Sequence, residues 1–268
     1  MPEEKYPQPY KVVQLHMNSQ LATNYKNRSQ QARVVSEDWG SKNLYCLACD
    51  KDFLEQRPNN TRVFDYVCNK CSSSYQLKSS IHWSETRIPD AAYETMIHAI
   101  KTDSTPNLFV MQYCVNWMVR NLLLIPSFFF TVSAIEKRKP LSINARRAGW
   151  VGCNILLMNI APEGKIKLVD EGRVIDFKSV RNSYNLVRPF SELSSKMRGW
   201  TLDVFRILRG LGQLEFSLDD IYSFEQTLSE LYPNNKYIRA KIRQQLQVLR
   251  DLGFVQFLGK GRYLLIKQ

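Results

Sequence analysis

Apolar residues recur at helical spacing most clearly toward the end of the chain. Leu202, Phe205, Leu208 and Leu211 mark one helix across 200–211. Ile221, Phe224, Leu228 and Leu231 mark a second across 218–231, with Ser217 as its N-cap. Ile238, Ile242, Leu246 and Leu249 share one face of a third, across 238–252. Runs at 254–258 and 262–266 then flank Gly259-Lys260-Gly261, a strand–turn–strand signal. Three helices followed by a hairpin is the order of a winged helix; a helical subdomain with a hairpin tail is the plainer alternative.

The preceding residues are more mixed. Segment 19–39 is polar and helical in period, with Ala22, Ala32 and Val35 as its contacts. Segment 42–78 holds four cysteines among short alternating runs. A helix is predicted over 90–100, where Ala92, Met96 and Ile100 recur and Pro89 and Asp90 stand at its start. Strands are predicted at 108–113, 121–125, 155–158 and 165–169, with a basic loop at 137–147. Segment 181–198, rich in Ser, Arg and Asn, reads as a linker. The expected organisation is α+β: an N-terminal arm at 1–14, a main domain at 15–190 and a winged helix at 195–268.

Charge adds a partner to this picture. Lys and Arg number 37 against 25 Asp and Glu, a net charge of +12. Such an excess favours a polyanion, nucleic acid before an anionic membrane surface. The longest apolar stretch, 122–132, is broken by Pro126 and is too short to span a bilayer. The N-terminus lacks the pattern of a secretory signal, so the expectation is a cytoplasmic protein with no membrane role. The triplet Asn59-Asn60-Thr61 is accordingly read as a chance match to a glycosylation site. Six cysteines in that setting point to metal rather than disulfides.

Cys46-x2-Cys49 and Cys68-x2-Cys71, with 18 residues between the pairs, have the spacing of a four-thiolate zinc site. Four thiolates close a tetrahedron and leave no position for substrate, so the Zn2+ is expected to be structural. Cys114 and Cys153 lie in apolar runs and read as core.

Asp65 stands three residues before Cys68 in a strand-like run, 63–67, and Gln76-Leu77-Lys78 follows. Strand side chains alternate, so Gln76 and Lys78 share one side. If the two strands are neighbours, Asp65, Gln76 and Lys78 converge. The oxygens of Asp65 and Gln76 suit Mg2+, and Lys78 suits the attacking water or the charge developing on phosphate. That is the logic of the PD-(D/E)xK nucleases; a solvated strand face is the alternative.

Two further clusters suit DNA. Lys137-Arg138-Lys139, Arg146, Arg147 and Trp150 can grip phosphates and stack a base, or form a solvated basic turn around a core Trp. Segment 236–262 carries seven basic residues and one acidic, Asp251. Its apolar stripe leaves Arg239, Arg243, Gln244 and Gln247 outside, where Arg reads guanine and Gln adenine in the major groove. Lys260 and Arg262 in the hairpin complete this set. His16, His82 and His98 are not spaced as a metal set.

Several ordered segments resemble one known family. They are Gln31-Ala32-Arg33 with Glu37-Asp38-Trp39, the cysteine pairs around Asp65, Gln76-Leu77-Lys78, and Arg146-Arg147-Ala148-Gly149-Trp150 with Gly152-Cys153-Asn154. Arg198-Gly199-Trp200-Thr201 and the run 242–251 continue the series, so the resemblance extends from about residue 15 to the end. It is to the DpnI-like methyl-directed restriction endonucleases. The resemblance implies a PD-(D/E)xK domain with a zinc site, then a winged helix, and cleavage of duplex DNA at GATC sites with methylated adenines, read by both domains. It implies catalysis by Asp65, Gln76 and Lys78, with Mg2+ held by Asp65, Gln76 and the Leu77 carbonyl. It places Trp150 at an aromatic that faces the modified base and Trp200 near the second reader, and the chain is expected to be a monomer without DNA. The family has Glu where this chain has Gln76, which removes one charge from the Mg2+ site. Against this stand two non-catalytic readings, a zinc-ribbon and winged-helix regulator and a methyl-DNA reader that does not cut.

Overall fold

The computed structural model describes residues 13–58 and 64–266. Most of the arm at 1–14, the triplet Asn59-Asn60-Thr61 and the start of the strand expected at 63–67 lie outside the described residues. In chain order the elements begin with α1 (Arg28–Asn43), β1 (Glu55–Gln56), β2 (Tyr66–Val67), β3 (Ser74–Ser80), β4 (Arg87–Ala92), α2 (Tyr93–Lys101), β5 (Asn107–Tyr113) and β6 (Val119–Ile125). Next come β7 (Ile135–Lys137), β8 (Gly152–Leu156), β9 (Ile166–Asp170), β10 (Arg173–Val174) and α3 (Phe177–Val187). The last are α4 (Ser195–Gly210), β11 (Glu215–Ser217), α5 (Leu218–Tyr222), α6 (Glu225–Leu231), α7 (Ile238–Asp251), β12 (Val255–Gly259) and β13 (Arg262–Leu265). No helix among them is long and apolar enough to cross a membrane.

Two compact units interleave along this mixed α/β chain. The first takes the described residues up to Trp83, Pro106–Pro126 and Lys165–Asn185; the second takes the rest. The first unit is built on a sheet of order β1-β2-β3-β5-β6-β9-β10. β3 and β5 run parallel, whereas β5, β6 and β9 are antiparallel. β5 and β6 are buried almost throughout, which is why they read as continuous apolar runs without alternation. The helical period over 19–39 resolves into two pieces. A 3-10 turn at Ser19–Asn24 is capped by Asn18, and α1 is capped by Asn27, whose side chain accepts from Ser29 N at 2.8 Å. Val35 and Trp39 of α1 are fully covered.

The second unit holds two three-stranded sheets, β4-β8-β7 and β11-β13-β12. The predicted helix over 90–100 begins later, because Pro89 and Asp90 belong to β4. β4 is an edge strand, where a missing amide is tolerated. Segment 181–198 is not a linker: α3 and a 3-10 turn at Arg188–Glu192 fill most of it. Phe190 is fully buried there, 4.7 Å from the Phe254 ring and 5.7 Å from that of Phe129. Most polar residues of this segment face outward, the buried Arg198 and half-buried Arg181 being exceptions, and hide the apolar ones from a compositional reading. Toward the C-terminus the expected order is found, with three changes. α4 starts at Ser195, capped by Ser194; 218–231 breaks into α5 and α6; and β11 adds a third strand to the hairpin. Ser217 does cap α5, in a reciprocal box with Asp220.

Asp203 on α4 is a buried carboxylate. It accepts hydrogen bonds from the hydroxyls of Ser133 at 2.5 Å and Tyr232 at 2.6 Å. Burial holds its carboxyl above the ordinary aspartate range, outweighing both donors and Arg206. The folded unit therefore binds this proton more tightly than the unfolded chain. That contribution to stability is complete below the unfolded pKa and is lost as pH rises through the folded one. Asp203→Asn should melt higher than the parent at neutral pH, with the gap closing toward pH 4 in calorimetry. Asp203→Ala, which strands two hydroxyls, should lose about 1–3 kcal/mol.

Candidate functional site

The four paired cysteines converge in the first unit. Their sulfurs all lie within 4.8 Å of one another, with Cys46 Sγ 3.5 Å from Cys71 Sγ and Cys49 Sγ 3.5 Å from Cys68 Sγ. A tetrahedral zinc with Zn–S bonds of about 2.3 Å separates its sulfurs by about 3.8 Å, so the set fits that ion. Each pair sits on a tight turn: Cys46 N donates to Lys51 O at 3.1 Å and Cys68 N to Ser73 O at 2.9 Å. Arg181 on α3 braces the first turn by donating to the carbonyls of Cys46 and Lys51. Lys70 pairs with Asp50 at 2.5 Å across the two turns. Burial pushes the Cys46 thiol up, while at Cys71 the Ser73 side chain and amide outweigh burial and hold the thiol at about 7. Four thiols this close ionise together only around a cation, as zinc would provide. Cys153 is buried, as expected of a core cysteine, and Cys114 is half-buried.

The same hairpin that carries Cys68 and Cys71 at its turn carries Asp65 and Gln76–Lys78 at its open end. β2 pairs antiparallel with β3, Tyr66 opposite Tyr75 and Val67 opposite Ser74. One step further, Asp65 N donates to Tyr75 O at 2.9 Å, and Leu77 N donates to Asp65 Oδ2 at 2.8 Å. The carboxylate is thereby fixed beside the strand residues whose side chains alternate as Gln76, Leu77, Lys78. All three and Asp65 are half-buried. Burial raises the Asp65 pKa and the Glu37 carboxylate adds to the rise, against the Leu77 amide, Arg33 and Lys78. A carboxylate held in that state suits a cation.

Glu37 is a neighbour that sequence reasoning did not assign to the site. It projects from α1, paired with Arg33 at 2.6 Å, and its carbonyl accepts from the Tyr66 hydroxyl at 3.0 Å. A Cβ at Gly40 would collide with that hydroxyl, so the glycine lets β2 lie against α1. The sequence signal was the run Glu37-Asp38-Trp39, which stood out only as part of the family resemblance.

The DNA-directed candidates lie in the second unit. In the loop between β7 and β8, Arg146 and Arg147 are exposed and Trp150 is half-buried. Arg147 covers the indole, its guanidinium carbon 4.8 Å from the ring centroid. The ring rests on Gly152, where a Cβ would approach it to 2.7 Å. On α7, Arg239, Arg243, Gln244 and Gln247 are exposed, as are Lys260 and Arg262 in the hairpin. All three arginines are engaged: Arg239 pairs with Glu225 at 2.7 Å, Arg262 with Glu215 at 2.6 Å, and Arg243 donates to the Tyr222 hydroxyl at 3.2 Å. Trp200 differs from expectation. It is 3% exposed and stacks on Tyr232 at 3.6 Å, so its ring packs inside the unit and is not presented to solvent.

Comparison with known families gives two matches that together span most of the chain. Residues 13–192 match the Dam-replacing family, DpnI, and residues 196–264 match the Dam-replacing HTH domain.

The cysteine geometry has a direct consequence. The purified chain is expected to carry one equivalent of zinc by atomic emission, and Cys46→Ser should lose the metal and lower the melting temperature. A fully folded chain with no metal would overturn the zinc assignment.

Proposed function

The chain belongs to the Dam-replacing family, DpnI, and on that premise we propose that it is a Mg2+-dependent restriction endonuclease of PD-(D/E)xK type. Its substrate is duplex DNA at GATC sites whose adenines carry a methyl on the exocyclic amine. The observation that carries this reading is the Asp65 carboxylate accepting the Leu77 amide at 2.8 Å, beside Gln76 and Lys78. That hydrogen bond sets the Asp65 carboxylate against the strand segment 76–78, which supports reading Asp65, Gln76 and Lys78 as one site.

Hydrolysis forms a P–O bond to water and breaks a P–O bond to a sugar oxygen. Asp65, the Gln76 amide oxygen and the Leu77 carbonyl would hold Mg2+, which when bound polarises the phosphate and acidifies water. Lys78 holds the attacking water or a non-bridging phosphate oxygen and offsets the charge that develops. Asp65 keeps its position through the Leu77 amide and accepts no role in reading bases. Gln76 offers oxygen without charge. The Glu37 carboxylate is felt at Asp65 but is paired with Arg33 at 2.6 Å, so it adds a second carboxylate for the ion only if it leaves that partner.

Selectivity for methylated adenine needs an apolar surface, because one added methyl contributes only about 0.8 kcal/mol on burial. Trp150 offers such a surface in a loop whose arginines suit phosphate. Stacked under Arg147 and supported by Gly152, the indole is held for contact and only half-exposed. The HTH domain supplies a second reading, which multiplies the first. In this reading the chain is a monomer in the absence of DNA.

Methylated and unmethylated copies of one plasmid, incubated with the protein and Mg2+, test the proposal: only the methylated copy should be cut. Binding of methylated DNA without cutting would make the chain a reader that has lost catalysis through Gln76. Asp65→Ala and Lys78→Ala should each lower the cleavage rate by about 10²–10³-fold and leave binding of methylated duplex intact. Gln76→Glu should lower the Mg2+ concentration needed, and Glu37→Gln should raise it. Trp150→Ala should cost about 1–3 kcal/mol of discrimination for the methylated site with an unchanged melt; a large drop in melting temperature would instead make the indole a core anchor.

A further inference from the structure

Tyr237 is a large aromatic residue left 78% exposed at the N-cap of α7. Its backbone is well held: its amide donates to Asn235 Oδ1 at 2.8 Å and its carbonyl accepts from Lys241 N at 3.0 Å. Its ring, by contrast, is given to solvent. The start of a recognition helix is the position from which a helix–turn–helix touches base edges. Beside Tyr237 opens a concavity of about 550 Å³, lined by Lys196, Trp200, Tyr232 and Asn235 among others.

Lys196 and Lys236 line this concavity, and Lys241 adds positive charge beside the Trp200 ring. Lys196 lies in the first turn of α4, and Lys241 on α7 holds its Nζ 5.7 Å from the Trp200 ring centroid. Burial, and then the nearby Lys196, hold the Lys241 ammonium below the ordinary lysine range. Among the described residues neither lysine makes an ion pair, whereas Arg239, Arg250 and Arg262 pair with Glu225, Asp251 and Glu215. Lys241 Nζ donates to Gln244 Oε1 at 2.8 Å, a neutral acceptor that leaves its charge uncompensated. Two ammoniums that repel each other and share no carboxylate suit an anion. An exposed aromatic ring beside such a pair has the chemistry of a nucleotide contact: cations for phosphate and an apolar face for a base edge.

We propose that Tyr237 is a base-reading residue of the C-terminal helices, its ring pressed on the edge of a base in the major groove, while Lys196 and Lys241 clamp a neighbouring backbone phosphate. Trp200 is the floor beneath this contact. The inference rests on the HTH domain binding duplex DNA and does not depend on cleavage.

The test is fluorescence anisotropy with the full chain in EDTA-free buffer lacking Mg2+. One duplex contains a methylated GATC site, and the other is a scrambled duplex of equal composition. Tyr237→Ala should cut the affinity ratio between the two by about tenfold or more, and Tyr237→Phe should keep it. With so exposed a side chain, the melting temperature should not move. Lys196→Gln combined with Lys241→Gln should weaken both duplexes alike and flatten the slope of log K against log salt by about 2. An unchanged ratio for Tyr237→Ala, no ratio in the parent, or an unchanged slope for the lysine pair overturns the proposal. Cleavage is scored separately, so a chain that binds in this way without cutting would refute the nuclease reading alone. A chain that cuts methylated sites but ignores Tyr237→Ala would refute this one alone.

Discussion

The register of β2 against β3 is the constraint on which the candidate catalytic cluster depends. β2 is two residues long, too short to hold its alignment through its own ladder. Its alignment is secured from both ends. At the turn, Cys68 and Cys71 are drawn toward Cys46 and Cys49. At the open end, the Tyr66 hydroxyl reaches the Glu37 carbonyl and the Asp65 carboxylate takes the Leu77 amide. A slip of one residue would turn Asp65 to the opposite side of the sheet. The thiolate cluster thus has a role beyond local stability, since it sets which strand residues Asp65 meets.

The parts of this arrangement that were legible in the sequence are those with a fixed spacing. Two Cys-x2-Cys pairs specify a closed ligand set whatever surrounds them, and the alternation of a strand was enough to put Gln76 and Lys78 on one side. What sequence reasoning missed depends on tertiary contact. Glu37 reads as an ordinary charged residue of a polar helix until α1 is seen against β2. Tyr237 matters because its ring is uncovered, a property of its surroundings and not of its neighbours in sequence. Segment 181–198 misled because Phe190 and Val187 are few among many polar residues, yet both are fully buried. Pro89 looked like the opening of a helix, and the edge of a sheet tolerates it equally well. Trp200, flagged for DNA, is held in the unit by Tyr232.

The excess of +12 is not spread as a uniform coat. Two arginines that sequence patterning assigns to DNA, Arg239 and Arg262, already have acidic partners at the surface. Exposed pairs of this kind contribute little to folding, and they exchange readily for phosphate. Among the described residues, Lys196 and Lys241 have no acidic partner to leave. A charge arrangement of this sort gives two grades of contact, one available at first encounter and one released as the acidic partners give way.

The interleaving of the two units bears on how the chain is made. The first unit draws on three separate stretches, the last of them Lys165–Asn185. A ribosome must therefore emit β4, α2, β7 and β8, which belong to the other unit, before β9 can complete the first sheet. The cysteine hairpin can close early, because its ligands all lie within the first stretch. The large sheet cannot, and β6 waits for its neighbour across the synthesis of some forty intervening residues. Its long-range pairings delay ordering and leave the apolar edge of β6 exposed in the meantime. The nascent protein is thus metal-competent well before it has a finished core.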